Sequence, residues 1–175
     1  SYDFRFPRKF IPEEVAAKYK KYLNRVPGGL LAEPIDFVNY SIQGLNIPGV
    51  QFDPITQQDN DGTVRSHRGA VPIQNTITRE FTVTFQLLDG FINYWLMMDT
   101  LLFYYARTTK QAYIEPMTLR ILDAEGASVA YMEFNGIIMN SINELNLNMA
   151  ENVSDFSTFE CTFVYNKLDL RLEIE

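Results

Sequence analysis

The chain is poor in the residues on which chemistry is usually built. Its 175 residues include one cysteine, Cys161, and one histidine, His67. A single cysteine excludes an internal disulfide, and its place in the alternating run Phe159-Glu160-Cys161-Thr162-Phe163 predicts a buried, inert thiol. His67 lies between Ser66 and Arg68 with no second His, Cys or paired carboxylate at ligand spacing, which makes it a solvated or interface side chain rather than a metal ligand. Pro27-Gly28-Gly29-Leu30-Leu31 lacks the Lys and the strand-to-helix setting of a phosphate cradle. Gly-x-Ser-x-Gly, His-Glu-x-x-His and Cys-x-x-Cys are all missing. The expectation is therefore a protein without catalysis, metal or cofactor.

Positive charge is also scarce. Fifteen Lys and Arg against twenty-two Asp and Glu give a net charge of −7, which disfavours a surface built to hold phosphate backbones. No apolar run approaches the roughly 18 residues that span a bilayer, and no charged-then-apolar leader opens the sequence, so a soluble chain in a reducing compartment is expected. What is abundant is apolar and aromatic matter, 46% and 14% of residues, enough for one domain with a substantial core.

Residues 1–36 look like an N-terminal arm ahead of a body at 37–175. Pro7 and Pro12 disfavour helix before them, so residues 1–12 form an extended peptide in need of a surface. Glu13 to Leu23 suits a short helix, with Glu13 and Glu14 at its positive end and Lys18, Lys20 and Lys21 towards its negative end. A first strand is expected from Phe37 to Ile47, closed by Pro48-Gly49. The polar stretch 53–70, with Asp61-Gly62 as a hairpin signal, predicts a projecting contact loop carrying Asp59, Asp61, Arg65, His67 and Arg68. Met117–Leu122 and Val129–Phe134 flank a turn and read as a hairpin.

The strand at 77–86 alternates cleanly, with Thr78, Glu80, Thr82, Thr84 and Gln86 opposite Arg79, Phe81, Val83 and Phe85. Two more segments repeat the design. Leu145, Leu147 and Met149 oppose Glu144, Asn146 and Asn148; Phe159, Cys161, Phe163 and Tyr165 oppose Thr158, Glu160, Thr162 and Val164. These polar faces almost lack Lys, a residue that surface strands often use against aggregation. They suit either an acidic solvated face or a bore lined by short polar side chains, along which a polyanion slides without adhering. The helix expected at Phe91–Ala106 is apolar nearly all round, so Trp95, Met98, Leu102 and Tyr105 are candidates for contact with a neighbouring subunit.

Phe37 to Val50, Arg79 to Trp95, Tyr131 to Asn148 and the closing Ser157 to Tyr165 together resemble, in order and spacing, the tail tube proteins of contractile-tailed bacteriophages. The resemblance spans roughly residues 37–166. It implies a mainly β fold (α+β), an antiparallel β-barrel or sandwich with one flanking helix, in which homo-hexameric rings stack into a virion tail tube assembled in the host cytoplasm. It further implies tail sheath and baseplate proteins as partners, DNA passing through the lumen without specific binding, and no membrane. Glu80, Thr82, Thr84, Glu144, Asn146, Asn148, Glu160 and Thr162 would then line the lumen, and the 53–70 loop would join rings. Residues 1–36 depart from the family pattern and suggest an arm on a neighbour or on the sheath. A baseplate or tube-initiating ring of the same fold, or a monomeric ligand-binding barrel, are the alternatives.

Overall fold

The computed structural model describes residues 1–23, 33–49, 55–67, 79–106, 113–145 and 157–173. In chain order the elements are β1 Tyr2–Arg5, α1 Glu13–Leu23, α2 Pro34–Tyr40, β2 Ile42–Asn46, β3 Ile55–Gln58, β4 Val64–His67, β5 Glu80–Gln86, α3 Ile92–Ala106, β6 Met117–Leu122, β7 Ser128–Asn135, β8 Ile138–Ile142, β9 Thr158–Val164 and β10 Lys167–Leu172. Strands assemble as β1-β6-β7-β10, as β2-β5-β9-β8 and as the separate hairpin β3-β4, and every pairing among the described residues is antiparallel. The mainly β class with a flanking helix, expected from the sequence, is the observed one.

Two central strands explain why the sheets pack. In the β5–β9 register Phe81 faces Phe163, Val83 faces Cys161 and Phe85 faces Phe159, and all six side chains are fully buried. The rings stack at 5.2 Å for Phe81 and Phe163 and at 5.0 Å for Phe85 and Phe159. From the opposite sheet, Phe134 meets Phe81 at 4.6 Å and Phe4 meets it edge-on at 6.1 Å. Each buried phenylalanine is worth about 1.5–3 kcal/mol, a sizeable part of a domain stability of about 5–15 kcal/mol. The Phe159 end of the same face is covered by α3, through Tyr94 at 5.3 Å. Asn93 anchors the start of α3: its Nδ2 donates to the Gln86 carbonyl at 2.6 Å and its Oδ1 accepts from the Leu88 amide at 3.2 Å.

The N-terminal residues are not a separate arm. β1 pairs with β6, and Phe6, Phe10, Ile11, Val15 and Tyr19 belong to the chain's own core. Phe6 lies 5.9 Å from Phe85 and 5.5 Å from Phe163, in the middle of the sandwich. Phe4, Phe6 and Phe10 find their surface within the chain. Helix α1 forms where expected and packs on α3, with Lys18 Nζ and Tyr19 Oη each 2.6 Å from Asp99 Oδ2.

The first expected strand is shorter than Phe37–Ile47. Phe37–Tyr40 is the end of α2, because Pro34 suits a first helical turn, Asp36 sits at its positive end, and Pro34, Ile35, Phe37 and Val38 bury one helical stripe. The strand begins only at Ile42, after the Ser41 hydroxyl has bonded the Val38 carbonyl. A strand at Ile138–Ile142, entered through Gly136, precedes the alternating segment that holds Glu144 and Leu145. That glycine has φ +65°, and a Cβ there would come within 2.7 Å of Asn166 Nδ2. Strand β10 has no counterpart among the expected elements. Thr78, Leu147, Met149 and the Pro27-Gly28-Gly29 cluster lie outside the described residues.

Candidate functional site

The outer face of the β2-β5-β9-β8 sheet is a polar surface among the described residues. Strict alternation on β5 and β9 buries every second side chain and turns the others outward. Cross-strand pairing arranges these in rows: Asn46, Thr82, Thr162 and Ser141; Gly44, Thr84 and Glu160; and Glu80, Val164 and Ile138. The Thr82 and Thr162 hydroxyls are 3.4 Å apart, and Thr84 Oγ1 donates to Glu160 Oε1 at 3.5 Å. Among the described residues in these rows there is no lysine or arginine. Arg79, just outside β5, turns its guanidinium to the Asn166 carbonyl at 3.0 Å. The face presents hydroxyls, the amides of Asn46 and Gln86, two carboxylates and the apolar Val164 and Ile138 to whatever lies against it.

Five of the expected lining residues, Glu80, Thr82, Thr84, Glu160 and Thr162, share this face. Glu144 does not belong to the strand rows: β8 ends at Ile142, and Glu144 is exposed beyond it. Asn143 ends the strand by pairing with Glu160 through its backbone N–H and its side-chain Oδ1. Asn146 and Asn148 lie outside the described residues.

The expected contact loop is a hairpin in which every residue of β3 and β4 is exposed. Its turn runs from Asp59 to Thr63, longer than the two-residue signal implied, with Gly62 at φ +83°. Arg65 Nε pairs with Asp59 Oδ2 at 2.9 Å, and Asp61 Oδ1 accepts the Thr63 N–H at 2.9 Å. The hydrogen bonds from Thr63, backbone first, hold the Asp61 carboxyl below its ordinary range. Asp59, Asp61 and Arg65 thus shape the hairpin itself, while His67 stands opposite Ile55 in register. Arg68 lies outside the described residues. On α3, Trp95, Leu102 and Tyr105 are exposed, with Leu102 at 57%, whereas Met98 is half-buried against the chain's own core.

Two surfaces were missed. The outer face of the β1-β6-β7-β10 sheet is of mixed charge, with rows Asp3, Arg120, Tyr131, Arg171 and Arg5, Thr118, Glu133, Asp169. The inner face of that sheet overhangs the core, leaving Tyr2, Ile121, Leu170 and Leu172 exposed, Leu172 at 66%. The alternation Leu168-Asp169-Leu170-Arg171-Leu172 was the signal that could have found the strand carrying them.

Cys161 is fully buried, and burial pushes its thiol well above the ordinary range, which leaves no thiolate for chemistry. Among the described residues no group of His, Cys, Asp and Glu is placed to hold a metal ion, and no helix is long and apolar enough to cross a membrane.

The sequence matches no protein-family model and no curated protein. Solved structures similar to it include a chain of the sheath–tube complex of an extracellular contractile injection system, PVC, in its extended state (13% identity, 75% of this chain and 80% of that chain covered, TM-score 0.46). A chain of the anti-feeding prophage tube-terminating cap is similar at 9% identity, with 75% and 80% covered and a TM-score of 0.48. The Hcp1 protein from E. coli EAEC 042 is similar at 10% identity, with 71% of each chain covered and a TM-score of 0.35.

Proposed function

We propose that this chain is a non-catalytic structural subunit of a tube, closing into hexameric rings that stack coaxially, with the outer face of the β2-β5-β9-β8 sheet turned to the bore. One observation carries the reading. Of the two outer sheet faces, one mixes arginine, lysine and carboxylates, while the described rows of the other hold hydroxyls, amides, Val164, Ile138 and the carboxylates of Glu80 and Glu160, with no cation. A wall of that kind repels a polyanion weakly and offers it no salt bridge, so cargo such as DNA passes without adhering. The resemblance to phage tail tubes makes a tail in the virion the natural setting, with sheath and baseplate proteins as neighbours.

The exposed apolar matter lies where ring closure would use it. Trp95, Leu102 and Tyr105 on α3 and Leu170 and Leu172 on the edge strand β10 lie on different elements of one molecule, as a head-to-tail interface requires. Among the described residues β1, β10, β2 and β8 are the sheet edges, where a neighbour in a ring would continue the pairing.

Six chains at −7 carry −42, so stacking must overcome repulsion that salt screens. Negative-stain electron microscopy across protein and salt concentrations tests the reading. Hollow rings or tubes with six-fold symmetry, longer at higher salt, are expected; a chain that stays monomeric throughout contradicts it.

A further inference from the structure

We infer that the outer face of the β1-β6-β7-β10 sheet is a docking surface for an acidic segment of a partner protein, with Arg120 as the anchor for a glutamate or aspartate side chain. This goes beyond the tube reading and concerns the opposite face of the fold.

Three observations converge on Arg120. Two open recesses, of about 380 and 290 Å³, lie on this face, and both are lined by Thr118 and Arg120. They therefore form one groove with Arg120 at its middle. Around it each neighbouring cation is engaged: Arg5 with Asp3 at 3.2 Å, Lys167 with Asp169 at 2.8 Å and Arg171 with the Tyr131 hydroxyl at 3.2 Å. The Arg120 side chain makes no hydrogen bond or ion pair with any described residue, so its fork of donors is available for a carboxylate. The larger recess is also lined by Ser128, whose Oγ is buried and is the one such side-chain atom among the described residues with no hydrogen-bond partner. An unsatisfied buried hydroxyl is a cost that a ligand's polar atom would remove.

The groove favours a peptide over a free anion. Glu173 lines the larger recess and Asp3 the smaller, so a bare anion meets a like charge in either, whereas a peptide can set backbone N–H groups against those carboxylates. A single arginine in an open, solvated recess holds a small ion weakly. An extended segment adds contacts along the length of the groove.

The test measures binding of a synthetic glutamate-serine repeat peptide to the full chain by titration calorimetry, with a lysine-serine repeat, glutarate and inorganic phosphate in parallel. The wild-type chain is expected to bind the acidic peptide alone, and Arg120→Gln to weaken it by about tenfold or more. Ser128→Ala is expected to keep or raise Tm, since it deletes an unsatisfied group, while weakening the peptide about two- to fivefold. Absent binding, unchanged binding in either variant, or equal binding of the small anions or of the basic peptide would overturn the inference. Peptide binding by a chain that never assembles would sink the tube reading alone, and tubes that ignore the peptide would sink this one alone.

Discussion

Cys161 and Asp99 show how single residues carry the account. Cys161 is sealed between Val83 and Ile142 in the strand register, and burial raises its thiol. Thiol reagents are expected to leave the native chain unmodified and to react once it unfolds; labelling of folded protein at the rate of a free thiol would contradict the buried placement. Replacing the thiol by a hydroxyl, Cys161→Ser, should cost about 1–3 kcal/mol in a denaturant melt. At Asp99, partial burial raises the carboxyl, but hydrogen bonds from Lys18 and Tyr19 and the Lys18 charge outweigh it and leave its pKa lowered. Its stabilising contribution is therefore complete above the ordinary carboxylate value of about 4 and is lost as pH falls through the lower folded value. Tyr19 is the opposite limb. Burial, then its bond to Asp99, raises its hydroxyl, so its contribution holds below about 10 and is lost as pH rises through the folded value. Asp99→Asn should lower stability by about 1 kcal/mol at neutral pH and flatten the acid limb of a Tm-against-pH curve. An acid limb as steep as wild type would remove Asp99 from this role.

Among elements, legibility follows how much burial each one enforces. Strands β5 and β9 could be read from the sequence because every second residue is driven into one core, and the partition of Glu80, Thr82, Thr84, Glu160 and Thr162 onto a common face follows from that alternation. Helix α1 was legible from its end charges. Strand β1 was not: four residues ahead of Pro7 carry too short a pattern, and only pairing with β6 makes them a strand. Ile35 to Tyr40 is apolar enough for either state, and Pro34 with a helical burial stripe decided it. Glu144 was misplaced because Asn143 takes up the last pairing with β9, which the alternation does not reveal. Phe6 separates a core strand from a docking arm. Phe6→Ala is expected to destabilise the isolated chain by about 3–5 kcal/mol by denaturant titration. An arm that binds only a neighbour would leave the monomer's stability untouched.

At the scale of the whole molecule, the chain sorts its polar chemistry by face. Arg5, Arg120, Lys167 and Arg171 share one outer sheet face with carboxylates, hydroxyls with Glu80 and Glu160 share the other, and exposed apolar side chains stand on α3 and along β10. A tube needs that division: a wall that does not adhere, an exterior that meets other proteins, and flanks that close a ring. The direct test is to place single cysteines on the two faces, Glu160→Cys and Lys167→Cys, both at exposed positions, against a background in which native Cys161 is buried. Each variant is treated with a bulky polyethylene-glycol maleimide in the dissociated and assembled states. The account predicts that both label when dissociated, and that in assembled particles the cysteine at 160 is protected while the one at 167 still reacts. Full-rate labelling at 160 in assembled particles would contradict it.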